Sequence, residues 1–177
     1  MNVERRWTSA ALTRRSALLG ATAITGLALM GCSASGSASN PAQEEEVART
    51  VGAEKSMIVF RDPSCGCCHT WAEIARKAGY DVDLRDHQDM AGVKRRLGVP
   101  EQLASCHTAQ IAGMVIEGHV PLDDVARLLD NRPAGVKGIA VPGMPLGSPG
   151  MEVPDGTKQP FKVMAFDAAG TITEFSA

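Results

Sequence analysis

Cys65, Cys67 and Cys68 fall within four residues, and Cys106 stands far along the chain from them. Thiolates bind soft metal ions and attack disulfides, so the cluster points to soft-metal or thiol chemistry. A cysteine at or just before the first turn of a helix meets unsatisfied backbone N–H groups and the positive end of the helix dipole. Both favour the thiolate at Cys65. Counted along a helix, Cys65, Cys68 and His69 lie at i, i+3 and i+4 and share a face, whereas Cys67 is turned about a quarter-turn from Cys68. Adjacent Cys67 and Cys68 do not easily reach one ion from a regular helix, so sulfurs shared between several ions are a natural solution.

Other donors accompany these thiols. Met144 and Met151 sit in a segment crowded with Gly and Pro, and thiolates together with thioethers select Cu(I) over harder ions. His69 and His107 each follow a cysteine directly and are either ligands or neighbours that orient one. His119 is less clearly placed, and His87 reads as a solvated residue, so both are left out of the candidate set. A structural zinc site usually takes Cys-x-x-Cys knuckles from two places, and only one is present here. The candidate metal residues are therefore Cys65, Cys67, Cys68, Cys106, His69, His107, Met144 and Met151.

The beginning of the 177-residue chain reads as an address rather than as part of a domain. Arg5, Arg6, Arg14 and Arg15 precede an uncharged apolar stretch from Ala17 to Met30, too short and too interrupted by glycine to span a membrane. Thr13-Arg14-Arg15-Ser16-Ala17-Leu18-Leu19 resembles a twin-arginine export signal, and Leu29-Met30-Gly31-Cys32 resembles a lipobox with Cys32 as the acylated residue. Residues 1–31 are thus expected to be a signal peptide. Residues 32–55, rich in Ser, Ala and Glu, are expected to be a flexible tether, and 56–177 the folded domain. These features predict a periplasmic lipoprotein held to a membrane by its anchor. Removing the leader takes away four of 18 basic and one of 20 acidic groups, leaving a net charge of about −5 without a polybasic patch, which argues against nucleic acid as a partner. Export also places the four remaining cysteines where disulfides form, yet their clustering is unlike a framework of staples.

The cysteine turn needs elements to hold it. Met57-Ile58-Val59-Phe60 reads as a buried strand, and Trp71, Ile74, Ala75 and Ala78 recur at helical spacing up to a stop at Gly79. Tyr80 to Arg85 alternates as a strand, and Met90 to Leu97 reads as a helix ended by Gly98. Gln110 to Ile116 reads as one apolar strand, with a turn at Glu117-Gly118 and an amphipathic helix from Pro121 to Leu129. Pro133 to Pro160 shows no period and is expected to be one long loop, while Phe161 to Phe166 and Thr171 to Phe175 should close the chain as a hairpin. This α/β order resembles the thioredoxin-like fold, extended by a long Gly/Pro/Met loop and a C-terminal β-hairpin, with Cys65 and Cys68 at its paired positions. Ser105-Cys106-His107-Thr108 lacks the proline that thioredoxin-like oxidoreductases carry there, a departure that favours metal over pure thiol exchange.

Cys65-Gly66-Cys67-Cys68-His69-x-Trp71, Ser105-Cys106-His107-Thr108-Ala109, Glu117-Gly118-His119-Val120-Pro121 and the run from Val141 to Glu152 together resemble the CopG-type, copper-resistance-associated family, long classed as a domain of unknown function. The resemblance implies a thioredoxin-like periplasmic protein of copper handling, with the matched cysteines as copper ligands and a copper exporter or periplasmic copper carrier as partner. The leading expectation is a Cu(I)-binding protein, with a Cu(I)/Cu(II) redox step left open. A periplasmic thiol–disulfide oxidoreductase using Cys65 and Cys68, and a passive copper chaperone, remain as alternatives.

Overall fold

A computed structural model of the chain describes residues 54–175. The expected leader, Cys32 and nearly all of the expected tether lie outside the described residues. What is described is a mixed α/β unit of seven strands and three α-helices. In chain order these are β1 (Ser56–Arg61), α1 (Gly66–Lys77), β2 (Asp81–Asp86), α2 (Met90–Leu97), β3 (His107–Ile111), β4 (Met114–Glu117), α3 (Leu122–Asn131), β5 (Val136–Ala140), β6 (Met164–Asp167) and β7 (Ile172–Glu174), with a 3-10 turn at Glu101–Leu103. Among the described residues, no helix is long and apolar enough to cross a membrane.

The strands form one sheet in the order β2-β1-β3-β4-β5-β6-β7. β1 runs parallel to β2 and antiparallel to β3, and β3 runs antiparallel to β4. β5 is parallel to β4, and β6 and β7 continue antiparallel. Side chains alternate between two apolar faces, as the period of a strand requires. Ile116, Ile139 and Ala165 join a core with Trp71, Ala72 and Ala75 of α1 and Val125 and Leu128 of α3, whereas Val115, Ala140 and Phe166 join Val99 and Leu103 on the opposite face. Trp71 is wholly buried, and its indole N–H donates to the carbonyl of Val120 at 3.0 Å, tying α1 to the segment that leads into α3. Burial of a side chain of this size stabilises by about 3 kcal/mol, so α1 is firmly seated beneath the cysteine turn it carries.

The helix ends follow their capping residues. Asp89 accepts from Gly92 N at 2.8 Å and starts α2, and Gly98, at φ +72°, ends it in the left-handed conformation. Pro121 precedes α3, whose first turn carries Asp123 and Asp124 where the helix dipole favours anions.

Two expectations are corrected. Gln110 to Ile116 is not one strand but the turn region of a hairpin, because Ala112 and Gly113 both take positive φ, +47° and +80°, and fold β3 back onto β4. An Ala-Gly pair is a weak hairpin signal beside Asn-Gly, and the unbroken apolar run conceals it. Within the expected loop from Pro133 to Pro160, Val136–Ala140 forms the interior strand β5. Gly138 in its middle lowers the strand signal, yet a Cβ there would stand 2.2 Å from the carbonyl oxygen of Val115 and 2.7 Å from the Phe166 ring, so the close approach of strands demands glycine.

Candidate metal centre

The turn that presents the first three cysteines is built from its own backbone and from Asp62. Asp62 Oδ1 accepts from the backbone N–H of Ser64 at 2.8 Å, and its carbonyl accepts from Cys65 N at 3.0 Å. Cys65 is the N-cap of α1, at φ −80° and ψ 98°, with its sulfur accepting from Cys68 N at 3.3 Å. It therefore stands outside the helix it caps. That displacement changes the geometry expected from helical spacing. Cys65 and Cys68 are joined as a disulfide, and Cys67 Sγ lies 3.4 Å from Cys65 Sγ and 3.9 Å from Cys106 Sγ. Cys67 is thus the link between the turn and the remote cysteine rather than a residue turned aside. His69, counted on the shared face, is instead exposed and belongs to neither donor group described below, because the i, i+3, i+4 argument treats Cys65 as helical when it is not.

Cys106 reaches the turn through a second, tightly held segment. Glu117 is wholly buried, and its carboxylate accepts from Ser105 N at 2.6 Å, from the Thr108 hydroxyl at 2.6 Å and from Lys94 Nζ at 2.6 Å. Gly118 follows at φ +72°, where a Cβ would stand 2.5 Å from that of Ser105 and 2.7 Å from the Val141 carbonyl oxygen. Only glycine fits there. His119 comes next, and its Nε2 lies 3.0 Å from Cys106 Sγ. The Glu117-Gly118-His119 motif thus acquires a physical reading: an anchor, a close approach and a ring placed on the cysteine. Sequence reasoning left His119 out, although its place in that motif was the available signal.

Two donor groups result. The sulfurs of Cys65, Cys67, Cys68 and Cys106 all lie within 4.8 Å of one another, and so do the ligand atoms of Cys106, His107 and His119. Burial, reinforced by the neighbouring Cys67, pushes the Cys106 thiol up to about 12. Burial pushes His107 well below its ordinary value, with His119 and Lys94 acting in the same direction. His119 is also lowered by burial, against the opposing pull of its Pro149 hydrogen bond and of Glu152. Both rings are therefore neutral near pH 7, the form in which imidazole binds a metal.

The Gly/Pro/Met segment packs onto the same place. A Cβ on Gly150 would stand 3.0 Å from Trp71 N and 3.1 Å from the Cys67 carbonyl oxygen, the Pro149 carbonyl accepts from His119 Nδ1 at 2.9 Å, and Gly143 N donates to the Ala104 carbonyl at 3.2 Å. The segment therefore covers both cysteine-bearing turns. Met151 is half-buried within it, while Met144 is 51% exposed.

A capped cysteine turn, a remote cysteine just before the neighbouring strand and a loop folded across both define a protein with a multi-thiol site able to hold metal. The comparisons with known proteins agree. Residues 103–151 match a family model described as "Protein of unknown function, DUF411". Two solved structures titled copper resistance protein CopG, forms 1 and 2, are each 41% identical to this chain with a TM-score of 0.63, covering 67% of it and 93% and 94% of their own lengths. No curated protein matches. The chain belongs to the CopG-type copper-resistance family.

Proposed function

We propose that this chain is an exported copper-binding protein of copper resistance or homeostasis, which takes Cu(I) as its cargo through Cys65, Cys67, Cys68 and Cys106. The observation that carries the reading is the convergence of four sulfurs, from two separate segments, within 4.8 Å of one another in a member of a copper-resistance family. An all-sulfur set suits a soft monovalent ion, and its close spacing suits sulfurs shared between neighbouring ions. The oxidised pair must first be opened. A thiol donor supplies two electrons, two protons are taken up, and Cys65 and Cys68 become thiols; each then loses its proton to solvent as it takes up metal. Thioethers of the overlying loop, at Met144 and Met151, complete coordination without adding charge. The strand order β2-β1-β3-β4, with α1 following the first strand, supports reading the core as thioredoxin-like.

A second reading is favoured by one observation. Cys67 Sγ stands 3.4 Å from Cys65 of the Cys65–Cys68 disulfide, a placement suited to thiol–disulfide exchange. Metal analysis and free-thiol counting of reduced, anaerobically purified protein separate the two. Bound copper with blocked thiols supports cargo binding, with delivery to a copper exporter or periplasmic carrier. Metal-free protein that catalyses disulfide exchange supports the oxidoreductase. The periplasmic, lipid-anchored location rests on the order of twin-arginine-like and lipobox-like motifs, and the mass of the mature N-terminus tests it at Cys32.

A further inference from the structure

We infer that the cavity between α2 and the 3-10 turn at Glu101–Leu103 is a docking surface for an acidic segment of a partner protein, which places one aliphatic side chain in it. The cavity holds about 410 Å³ and is lined by Ala91, Lys94, Arg95, Val99, Glu101 and Ala104. Three of these are small and apolar. Lys94 adds the methylenes of its stem, because its ammonium is engaged by the Thr108 hydroxyl at 3.0 Å and by Glu117 at 2.6 Å. An apolar cavity with a charged rim is the form of a pocket that receives an anchoring side chain.

The rim is basic, in a chain whose 20 acidic groups outnumber its 18 basic ones. Arg95 and Arg96 are exposed in the last turn of α2, and Lys137 reaches the end of that helix from β5: a Cβ on Gly98 would stand 2.3 Å from Lys137 Nζ. None of the three has an ion-pair partner among the described residues. Cations in a last helical turn offset the helix dipole, which accounts for Arg95 and Arg96 but not for Lys137, brought to the same place by a strand. Glu101 alone of the lining residues is acidic. Three unpaired cations against one acid select an anionic visitor. Ala104 lies two residues before Cys106, and its carbonyl accepts from Gly143 N, so a protein held here stands beside the cysteine-bearing segment. That such a visitor exchanges Cu(I) rests on the cargo reading, whereas the docking itself does not.

The probe is the end-blocked peptide Glu-Glu-Leu-Glu-Glu, added to the full-length, metal-free protein and followed by backbone amide shifts. The expected result is saturable shifts centred on Ala91, Val99 and Ala104, with Glu-Glu-Ala-Glu-Glu bound at least about fivefold more weakly for want of the anchor. Lys-Lys-Leu-Lys-Lys should not bind. Arg95→Gln with Arg96→Gln keeps good helix formers and should weaken the leucine peptide by more than about fivefold, as should raising the salt to roughly 0.5 M. Ala91→Trp, at an exposed helical position, fills the cavity and should abolish the preference for leucine over alanine, with a melting curve confirming the fold. Absent shifts, shifts centred elsewhere, equal binding of the three peptides, unchanged affinity in the double variant, or a leucine preference that survives Ala91→Trp each overturn the inference. So does binding to phosphatidylglycerol vesicles that the double variant loses while the peptides do not bind, which would make the occupant a membrane. Cu(I) uptake by the reduced protein is measured separately: its failure with peptide binding intact would overturn the cargo reading and leave the docking surface standing.

Discussion

Replacing Lys94 with Met removes the cation paired with Glu117 while keeping most of the side chain's length. The pair is 2.6 Å apart, with side-chain exposures of 12% for Lys94 and 0% for Glu117. Breaking a buried pair from one side costs about 3–5 kcal/mol. The lower end applies here, because Ser105 N–H and the Thr108 hydroxyl still donate to the carboxylate. For a folded unit of roughly 120 residues the entropy of unfolding is about 250 cal/mol/K, so a loss of ~3 kcal/mol lowers Tm by about 12 °C. The effect depends on pH. Burial already raises the Glu117 carboxyl, and Lys94 heads the influences that oppose it, so the variant's carboxyl rises further. A carboxyl with a folded value above its unfolded one contributes stability that is complete below the unfolded value, about 4.3, and is lost as pH rises through the folded value. Lys94→Met should therefore fall further below the parent at pH 8 than at pH 5, by circular-dichroism melting. Adding Glu117→Gln, which removes the stranded charge, should recover more than half the loss and abolish the pH dependence. A single variant within 3 °C of the parent at pH 8, or a deficit equal at both pH values, refutes the reasoning.

Gly150→Ala forces a Cβ against Trp71 N and the Cys67 carbonyl at φ +83°, so it should cost about 1–2 kcal/mol and lower Tm by about 4–8 °C, whereas Gly66→Ala, with open space around its Cβ, should not. Equal melting of the two variants would remove the packed loop from the account. With its thiol pushed up to about 12, Cys106 is almost entirely protonated at pH 8, and peptide mapping after iodoacetamide should show it alkylated about 1,000-fold more slowly in the native protein than in urea. Equal rates would contradict its burial. Met144→Leu with Met151→Leu should change stability by less than about 1.5 kcal/mol, a volume-conserving swap, while weakening Cu(I) in chelator competition. Unchanged affinity makes the loop packing alone.

The strands and helices with strong period were legible in the sequence. Met90 to Leu97 is a helix ended by Gly98, and the final hairpin closes around residues 168–171, because capping and turn residues there act locally. The order strand, cysteine turn, helix was legible for the same reason. β5 was hidden because Gly138 answers a contact with β4 and Phe166 that no local pattern announces. The β3–β4 turn was hidden because Ala112 takes a positive φ that its type rarely adopts. At the site, the clustering of three cysteines could be read directly, and the motif carrying Cys106 placed it opposite. The standing of individual donors could not, since it depends on Cys65 lying outside the helix it caps. Once that is known, Cys67 becomes the bridge toward Cys106 and His69 points to solvent. His119 stood in a legible motif, but its donor role follows from the tertiary fold, which brings Pro149 to one ring nitrogen and Cys106 to the other.

The central claim is that two separate segments of the chain form one copper site, and Cys106 is its most direct test. Cu(I) competition against a chromophoric chelator, on reduced protein under anaerobic conditions, should show tight binding by the parent and its loss in Cys65→Ser and in Cys106→Ser, with the melting curve confirming that each variant is folded. Cys67, 3.9 Å from Cys106 Sγ, should prove as necessary as either. Parent-like Cu(I) affinity in a folded Cys106→Ser variant would contradict the account, because the cysteine turn alone would then hold the metal.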